Sequence, residues 1–253
     1  RYARLQASPL PAARGPAGGV LVTLTSLPSR MDLLKLTLAS LLDQTVLPQR
    51  VQVCLPRASL REGCGYRLPD FLDHPRVRVL RCDTDWGPAT KLLPSWVESG
   101  PEQLLLAVDD DNVYPPDLVE TLLRWHRLRP DAVVGLRGWR VGSPFARTEI
   151  LFGTRQRHLS RVDVLTGTWG YLLRRDHLDE RVLDYSGWPR DAFFVDDVWI
   201  CGHLARRGVP RLLVPATSPP FSTRAAWVND LGRRENSSGE RDDRVAAAFA
   251  RFW

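Results

Sequence analysis

Hydrophobic positions along the chain fall into two alternating kinds of pattern. Val20 to Leu24, Val51 to Leu55, Val77 to Leu80, Leu104 to Val108, Ala132 to Leu136 and Leu212 to Val214 are short, nearly continuous apolar runs. Such runs predict strands, and the unbroken Leu104 to Val108 predicts one covered on both faces. Between them Met31, Leu34, Leu38, Leu41 and Leu42 recur at three- to four-residue spacing, as do Leu118, Leu122 and Leu123, with Trp125 beside them. That spacing predicts amphipathic helices. The first strand, helix and second strand fit within residues 20–55, the size of a βαβ unit.

Punctuation sharpens these boundaries. Ser29 reads as a helix N-cap with Asp32 three positions on, a capping-box variant. A helix is expected from Pro116 to about Leu128, and a last one near Val245 to Phe252. Residues 1–19, rich in Ala, Pro, Gly and Arg without periodicity, read as a linker or disordered lead-in. Residues 142–161 are Arg-rich and irregular, which fits an active-site loop or a surface insertion equally well. Thr166-Gly167-Thr168-Trp169-Gly170 leads into a strand-like Tyr171 to Leu173. Two glycines around a tryptophan let backbone approach a flat ligand such as a sugar ring.

The 253 residues carry 43% hydrophobic and 25% charged side chains, enough for one large α/β domain or two small ones. A net charge of +6 suits an anionic ligand or membrane surface. The arginines are scattered and no nucleic-acid-binding pattern occurs, so nucleic acid is not the expected partner. No apolar run is long enough to cross a bilayer. The chain opens on Arg1 rather than Met, so a signal, an anchor or further domains are expected to have preceded it. Cys54, Cys64, Cys82 and Cys201 form no CxxC pair, which argues against zinc and leaves disulfides unassigned. Asn236-Ser237-Ser238 is a glycosylation sequon, meaningful only in a secretory pathway.

Three stretches carry candidate chemistry. The buried run Leu104 to Val108 drives straight into Asp109, Asp110 and Asp111. Three carboxylates at the end of a covered strand repel one another unless solvated or bound to a cation, and hard ions such as Mg²⁺ or Mn²⁺ prefer such oxygens. The turn CDTDWGPATK reads either as an ordinary strand-to-helix connection or as an anion-binding helix start carrying Lys91. In FFVDDVWICGHLARRG, Asp196 reads as the cap of a helix with Asp197 in its first turn, and Arg206 and Arg207 close the helix before Gly208. Acid first and base last match the helix dipole, so only the second aspartate needs a functional explanation. Its place at a helix start is expected to lower its basicity.

Taken in order over about residues 20–215, the first strand with its TSLPSR turn, GPATK, AVDDD and VDDVWICGHLARRG resemble the nucleotide-sugar-dependent glycosyltransferases of the GT-A fold. The resemblance implies a single Rossmann-like α/β domain with a mixed, mostly parallel sheet flanked by helices. Its nucleotide-binding half would cover about 20–115 and its acceptor-binding half about 116–253. It implies an enzyme of glycan biosynthesis that moves a sugar from a nucleotide-diphosphate donor, UDP-sugar favoured, to a hydroxyl of a glycan or glycoconjugate. The DxD-type motif would make Asp111 the main ligand of Mn²⁺ or Mg²⁺, with Asp109 on metal or ribose and Asp110 in support. Thr25, Ser26, Arg30, Asp85 and Lys91 would line the nucleotide site. The late acidic pair resembles the base motif of inverting members, although Asp196 stands where many carry Glu. Asp197 would be the general base, Asp196 the next choice, and Gly167, Thr168, Trp169 and Gly170 the substrate-side loop.

Rival expectations are a retaining transferase, a nucleotidyltransferase, and a silent carbohydrate-binding domain. The glycine-free TSLPSR loop weighs against the nucleotidyltransferase. The compartment stays open: cytoplasmic or membrane-peripheral, or Golgi lumen if an anchor preceded Arg1.

Overall fold

The computed structural model describes residues 1–7, 9–11, 18–229 and 239–253; the sequon at 236–238 lies outside them. An eight-stranded sheet runs through the molecule. Its strands in chain order are β1 (Val20–Thr25), β2 (Arg50–Pro56), β3 (Val77–Cys82), β4 (Leu104–Ala107), β5 (Val133–Gly135), β6 (Ser160–Arg161), β7 (Tyr171–Arg174) and β8 (Arg211–Leu213). Their order across the sheet is β6-β8-β5-β7-β4-β1-β2-β3. The block β4-β1-β2-β3 is parallel throughout, as is the β5-β8 pair. Strands β6 and β7 run antiparallel to their neighbours. Around the sheet lie α1 (Tyr2–Ala7), α2 (Lys35–Leu42), α3 (Leu93–Glu98), α4 (Leu118–Leu128), α5 (Asp196–Arg206) and α6 (Glu240–Ala248). No helix among the described residues is long and apolar enough to cross a membrane.

Two cores explain why the strand sequences read as continuous apolar runs. Along β4, Leu105 and Ala107 enter a core with Trp96, Trp199 and Phe249. Leu106 and Val108 point the other way, into a core with Leu34, Leu38 and Leu122. Successive side chains of a strand alternate faces, and here both faces are covered.

The order of the parallel block locates the site. The chain moves outward from β1 to β2 and β3, then returns to lay β4 on the opposite side of β1. Such a reversal leaves a crevice beyond the carboxyl ends of the strands. Strand β7 adds to it through its antiparallel register: Tyr171 pairs with Ala107, so the chain entering β7 sits where β4 ends. Residues 166–170 and 109–111 are thereby brought together from opposite directions.

Several local expectations are corrected. Residues 2–7 form a helix rather than a featureless lead-in. Its Leu5 packs with Ala39 and Val113, and Arg1 and Arg4 both pair with Asp43; one apolar anchor in one short helix leaves no periodicity to read. Ser29 does not cap a helix. A 3₁₀ segment, Pro28–Leu33, precedes α2, and the Ser29 backbone N–H and hydroxyl both donate to Glu62, 33 positions away in sequence. The Ala132–Leu136 run breaks after β5, and Arg137–Trp139 joins a separate three-stranded sheet with Leu151–Phe152 and Val164–Leu165. Within 142–161, expected to be irregular, Leu151–Phe152 and β6 are strands.

Helix α5 is seated closely. Gly202 faces α6's neighbour Phe249, and a Cβ at this position would fall on the ring. Gly202→Ala is expected to cost about 1–3 kcal/mol through overpacking, read as a lowered midpoint in chemical denaturation with an unchanged slope.

Candidate active site

A cavity of about 530 Å³ opens at the carboxyl ends of β1, β2 and β4. Thr25, Ser26, Arg30, Asp85, Lys91, Asp109, Asp110, Asp111, Thr168, Asp196 and Asp197 all line it. The two acidic motifs, 86 positions apart, thus face one space.

Each aspartate of the first motif has a different setting. Asp110 is buried and held: Ser26 Oγ donates to Oδ2 at 2.5 Å and Arg30 Nη1 to Oδ1 at 2.9 Å. Thr37 Oγ1 donates to its carbonyl. Arg30 also donates through Nε to the Val228 carbonyl, tying a C-terminal segment to the loop. Ser26 and Arg30 therefore spend their polar groups on positioning this carboxylate. Asp109 is bound by Lys91, Nζ to Oδ1 at 2.5 Å, and that ion pair holds its carboxyl below the ordinary range against the effect of burial. Asp111 has weaker relief, from Arg30 at a longer distance. Burial first, then Asp110 and Asp109, push its carboxyl up to about 7. Asn112 Nδ2 donates to its Oδ1 at 2.7 Å, and Arg30 stays 3.7 Å from Oδ2.

Lys91 joins the two motifs. Its side chain is 6% exposed, and its ammonium lies 2.5 Å from Asp109, 2.9 Å from Asp196 and 3.9 Å from Asp197. The Asp196 contact is an ion pair without hydrogen-bond alignment. Three carboxylates hold the ammonium well above its ordinary pKa although burial opposes this. Its place depends on the turn before it: Asp85 accepts from Gly87 N and from Thr90 Oγ1, and Gly87 adopts φ +60°. Thr23 Oγ1 caps the Lys91 carbonyl from β1.

The cap expected of Asp196 is absent. Asp196 is the first residue of α5, Val195 is the N-cap residue, and no side chain makes a capping hydrogen bond. Asp196 faces Lys91 instead, while Asp197 accepts from the Gly167 N–H at 3.0 Å. The expected lowering of Asp197 basicity is reversed: burial, then Asp196, push its carboxyl up to about 8. Desolvating a charge outweighs a helix-start dipole worth about 0.3–1 kcal/mol. Its side chain remains 26% exposed, and that surface faces the cavity.

The 166–170 loop divides. Thr168 lines the cavity. Gly167 lies behind the charges, where a Cβ would meet Lys91 Nζ at 2.5 Å and Asp109 Oδ1 at 2.8 Å. Gly170, at φ +85°, completes the turn into β7. Trp169 is not among the cavity-lining residues and packs on Phe152, with ring centroids 5.1 Å apart.

Sequence reasoning missed several contributors. Tyr114 is fully buried and its hydroxyl receives the Asp109 N–H while donating to the Asp109 carbonyl. In the sequence, Tyr114-Pro115-Pro116 marks only the end of an extended segment and the opening of a helix. Phe221–Ser222 pairs with Asn112–Val113, and Thr223 N donates to the Asp111 carbonyl. Trp227 and Tyr66 also line the cavity.

Among the described residues no three His, Cys, Asp or Glu side chains form a ready metal cage. A divalent ion held by one or two carboxylates and by substrate phosphates needs no such cage. Asp111 suits that role, because Arg30, 3.7 Å away and hydrogen-bonded to Asp110, offsets its charge only in part. Asp109 is already occupied by Lys91.

No protein-family model matches the chain, and no curated protein does. Solved structures do match. A mannosyltransferase of Pyrobaculum calidifontis, PcManGT, solved with GDP-Man and Mn²⁺, superposes with a TM-score of 0.51 at 16% identity, over 86% of this chain and 61% of its own. Residues 1–349 of S. aureus TarS give 0.50 at 11% identity, over 81% and 60%. The fold is GT-A-like. This chain spans under two thirds of either neighbour's length.

Proposed function

We propose that the protein is a metal-dependent, inverting glycosyltransferase that moves a sugar from a nucleotide-diphosphate donor to a hydroxyl of a glycan or glycoconjugate. The observation carrying this reading is one cavity with two acidic groups held apart in role by Lys91. The neighbour solved with GDP-Man and Mn²⁺ supports the donor and metal class. It gives no support to a preference for UDP, so both nucleotides belong in any test.

In this reading the nucleotide occupies the end lined by Pro56, Ser59, Tyr66 and Asp85, and its diphosphate lies beside Asp111. Bound Mn²⁺ or Mg²⁺ supplies positive charge to the departing diphosphate. Arg30 and Ser26 keep Asp110 fixed, and Tyr114 keeps the loop backbone fixed, so Asp111 is presented in one orientation. Asp197 accepts the proton of the acceptor hydroxyl as that oxygen bonds to the anomeric carbon and the bond to the diphosphate oxygen breaks. A carboxylate raised to about 8 is a stronger base than an ordinary one. The Gly167 N–H holds it toward the cavity.

The raised value sets a pH dependence. Asp197 works only when deprotonated, and its carboxyl is lifted from 3.8 to about 8. Acceptor kcat/KM is therefore expected to rise with pH through about 8, falling about tenfold per unit below it. An ordinary aspartate at 197 would contribute no rise near pH 8.

Screening UDP- and GDP-sugars with Mn²⁺ tests the assignment, with NMR reporting the anomeric configuration of the product. Inversion with metal dependence is the expected outcome. Full activity in EDTA, or retention of configuration, rejects the mechanism.

A further inference from the structure

The 137–161 segment holds Arg137, Arg140, Arg147, Arg155, Arg157 and Arg161 against a single acidic residue, Glu149. Two of these converge on one ring: the Arg137 guanidinium lies 5.9 Å from the Phe152 centroid and Arg155 5.5 Å from it. Phe152 in turn packs on Trp169, the residue after the cavity-lining Thr168. The arginine and aromatic group therefore adjoins the cavity through the chain itself.

Arg137 is the informative member. Its side chain is largely buried, yet among the described residues no carboxylate pairs with it. Its one hydrogen bond runs from Nη1 to Thr166 Oγ1 at 3.2 Å. Thr166 precedes Gly167, whose N–H holds Asp197, so the guanidinium stands beside the base, within electrostatic reach of Asp197 and Asp109. Burial pushes it below its ordinary pKa, and nearby Arg147 adds to this. Holding a largely desolvated cation with no carboxylate in direct contact is unfavourable. A ligand anion would relieve it, and a guanidinium fork fits carboxylate, sulfate or phosphate oxygens. Phe152 and Trp169 beside it offer apolar ring surface of the kind that packs against a sugar.

From this geometry we infer that Arg137 and Arg155, with Phe152 and Trp169, form an acceptor subsite for a glycan bearing an anionic substituent next to the hydroxyl that Asp197 serves. This rests on the glycosyltransferase reading and names the acceptor class for it. Two anions are thereby kept apart: the donor diphosphate at Asp111 inside the cavity, and the acceptor's own charge at Arg137 beside it.

The test uses a glycan array with matched neutral, uronic-acid-bearing, sulfated and phosphorylated oligosaccharides, probed with wild type and an Arg137→Gln/Arg155→Gln double variant. UDP and GDP binding with Mn²⁺ is measured on the same preparations. Wild type should retain acidic members, less so as salt rises. The double variant should bind them at least about tenfold more weakly, the loss expected for charge-assisted hydrogen bonds, while nucleotide affinity stays unchanged. The array signal across the four classes shows which anion is preferred. Retention of neutral glycans only, of none, or of acidic glycans equally by both proteins overturns the inference. Failure of nucleotide binding would instead strike the donor reading, which the arginine pair does not touch.

Discussion

Asp197→Asn is expected to lower transfer by about 10²–10⁴-fold, the usual contribution of a general base, while leaving nucleotide binding intact. The substitution isolates proton acceptance from position. Asparagine keeps an oxygen that can accept from the Gly167 N–H, the bond that now fixes Oδ1 at 3.0 Å. It cannot take a proton from an acceptor. Folding should not suffer, because a carboxyl raised to about 8 is already unfavourable when charged, and removing it eases repulsion with Asp196. Asp196→Asn behaves differently. It withdraws one of the carboxylates that balance Lys91, so its main effect is expected on stability. Comparing the two variants by transfer rate and thermal midpoint assigns the base. A folded Asp197→Asn protein with near wild-type transfer would move the role to Asp196 or abolish it.

Lys91→Met should be the most damaging single change to the fold of the site. The ammonium is surrounded by Asp109, Asp196 and Asp197 with 6% of its side chain exposed. Methionine fills a similar volume but leaves buried carboxylates without a counter-charge, a loss of about 3–5 kcal/mol for broken buried pairs. For a chain of this size that corresponds to a fall in Tm of roughly 6–20 °C. The sign of its pH dependence is diagnostic. With the ammonium gone, Asp109 loses the charge that holds its carboxyl low and Asp196 and Asp197 rise further in the folded state, so the variant binds protons on folding and its deficit shrinks toward acid. Thermal melts of both proteins from pH 5 to 8 check this. A pH-independent deficit would mean the loss comes from packing alone.

Much of this site was legible because its signals were local. An apolar run ending at Asp109 carries its own physical conflict, and the strand-to-Asp boundary at 108 follows from it. GPATK and the late Asp-Asp pair were legible as turns and helix starts. What they do to each other was not. Lys91 had been placed near nucleotide or phosphates, yet it clamps the two motifs together, a contact set by the sheet order and invisible to spacing. Asp196 had a sufficient explanation as a cap, and tertiary pairing displaced it. Asp197 was assigned a lowered basicity from helix position alone, whereas burial reversed the sign. The same limit applies to Ser29, whose partner Glu62 lies on another loop. Phe221–Ser222 and Leu151–Phe152 are two-residue strands, too short for any alternation to show. The glycines flanking Trp169 point it to the substrate side, but nothing local to it shows that its ring packs on Phe152 rather than lining the main cavity.

The proposed site is divided, with Asp111 serving the donor, Asp197 the acceptor and Lys91 between them. Isothermal titration of UDP and GDP, each with Mn²⁺ and again with EDTA, tests it on wild type, Asp111→Ala and Asp197→Asn. Metal-dependent binding of one nucleotide to wild type, its loss in Asp111→Ala and its full retention in Asp197→Asn are the expected results. Equal binding to all three proteins regardless of metal would contradict it.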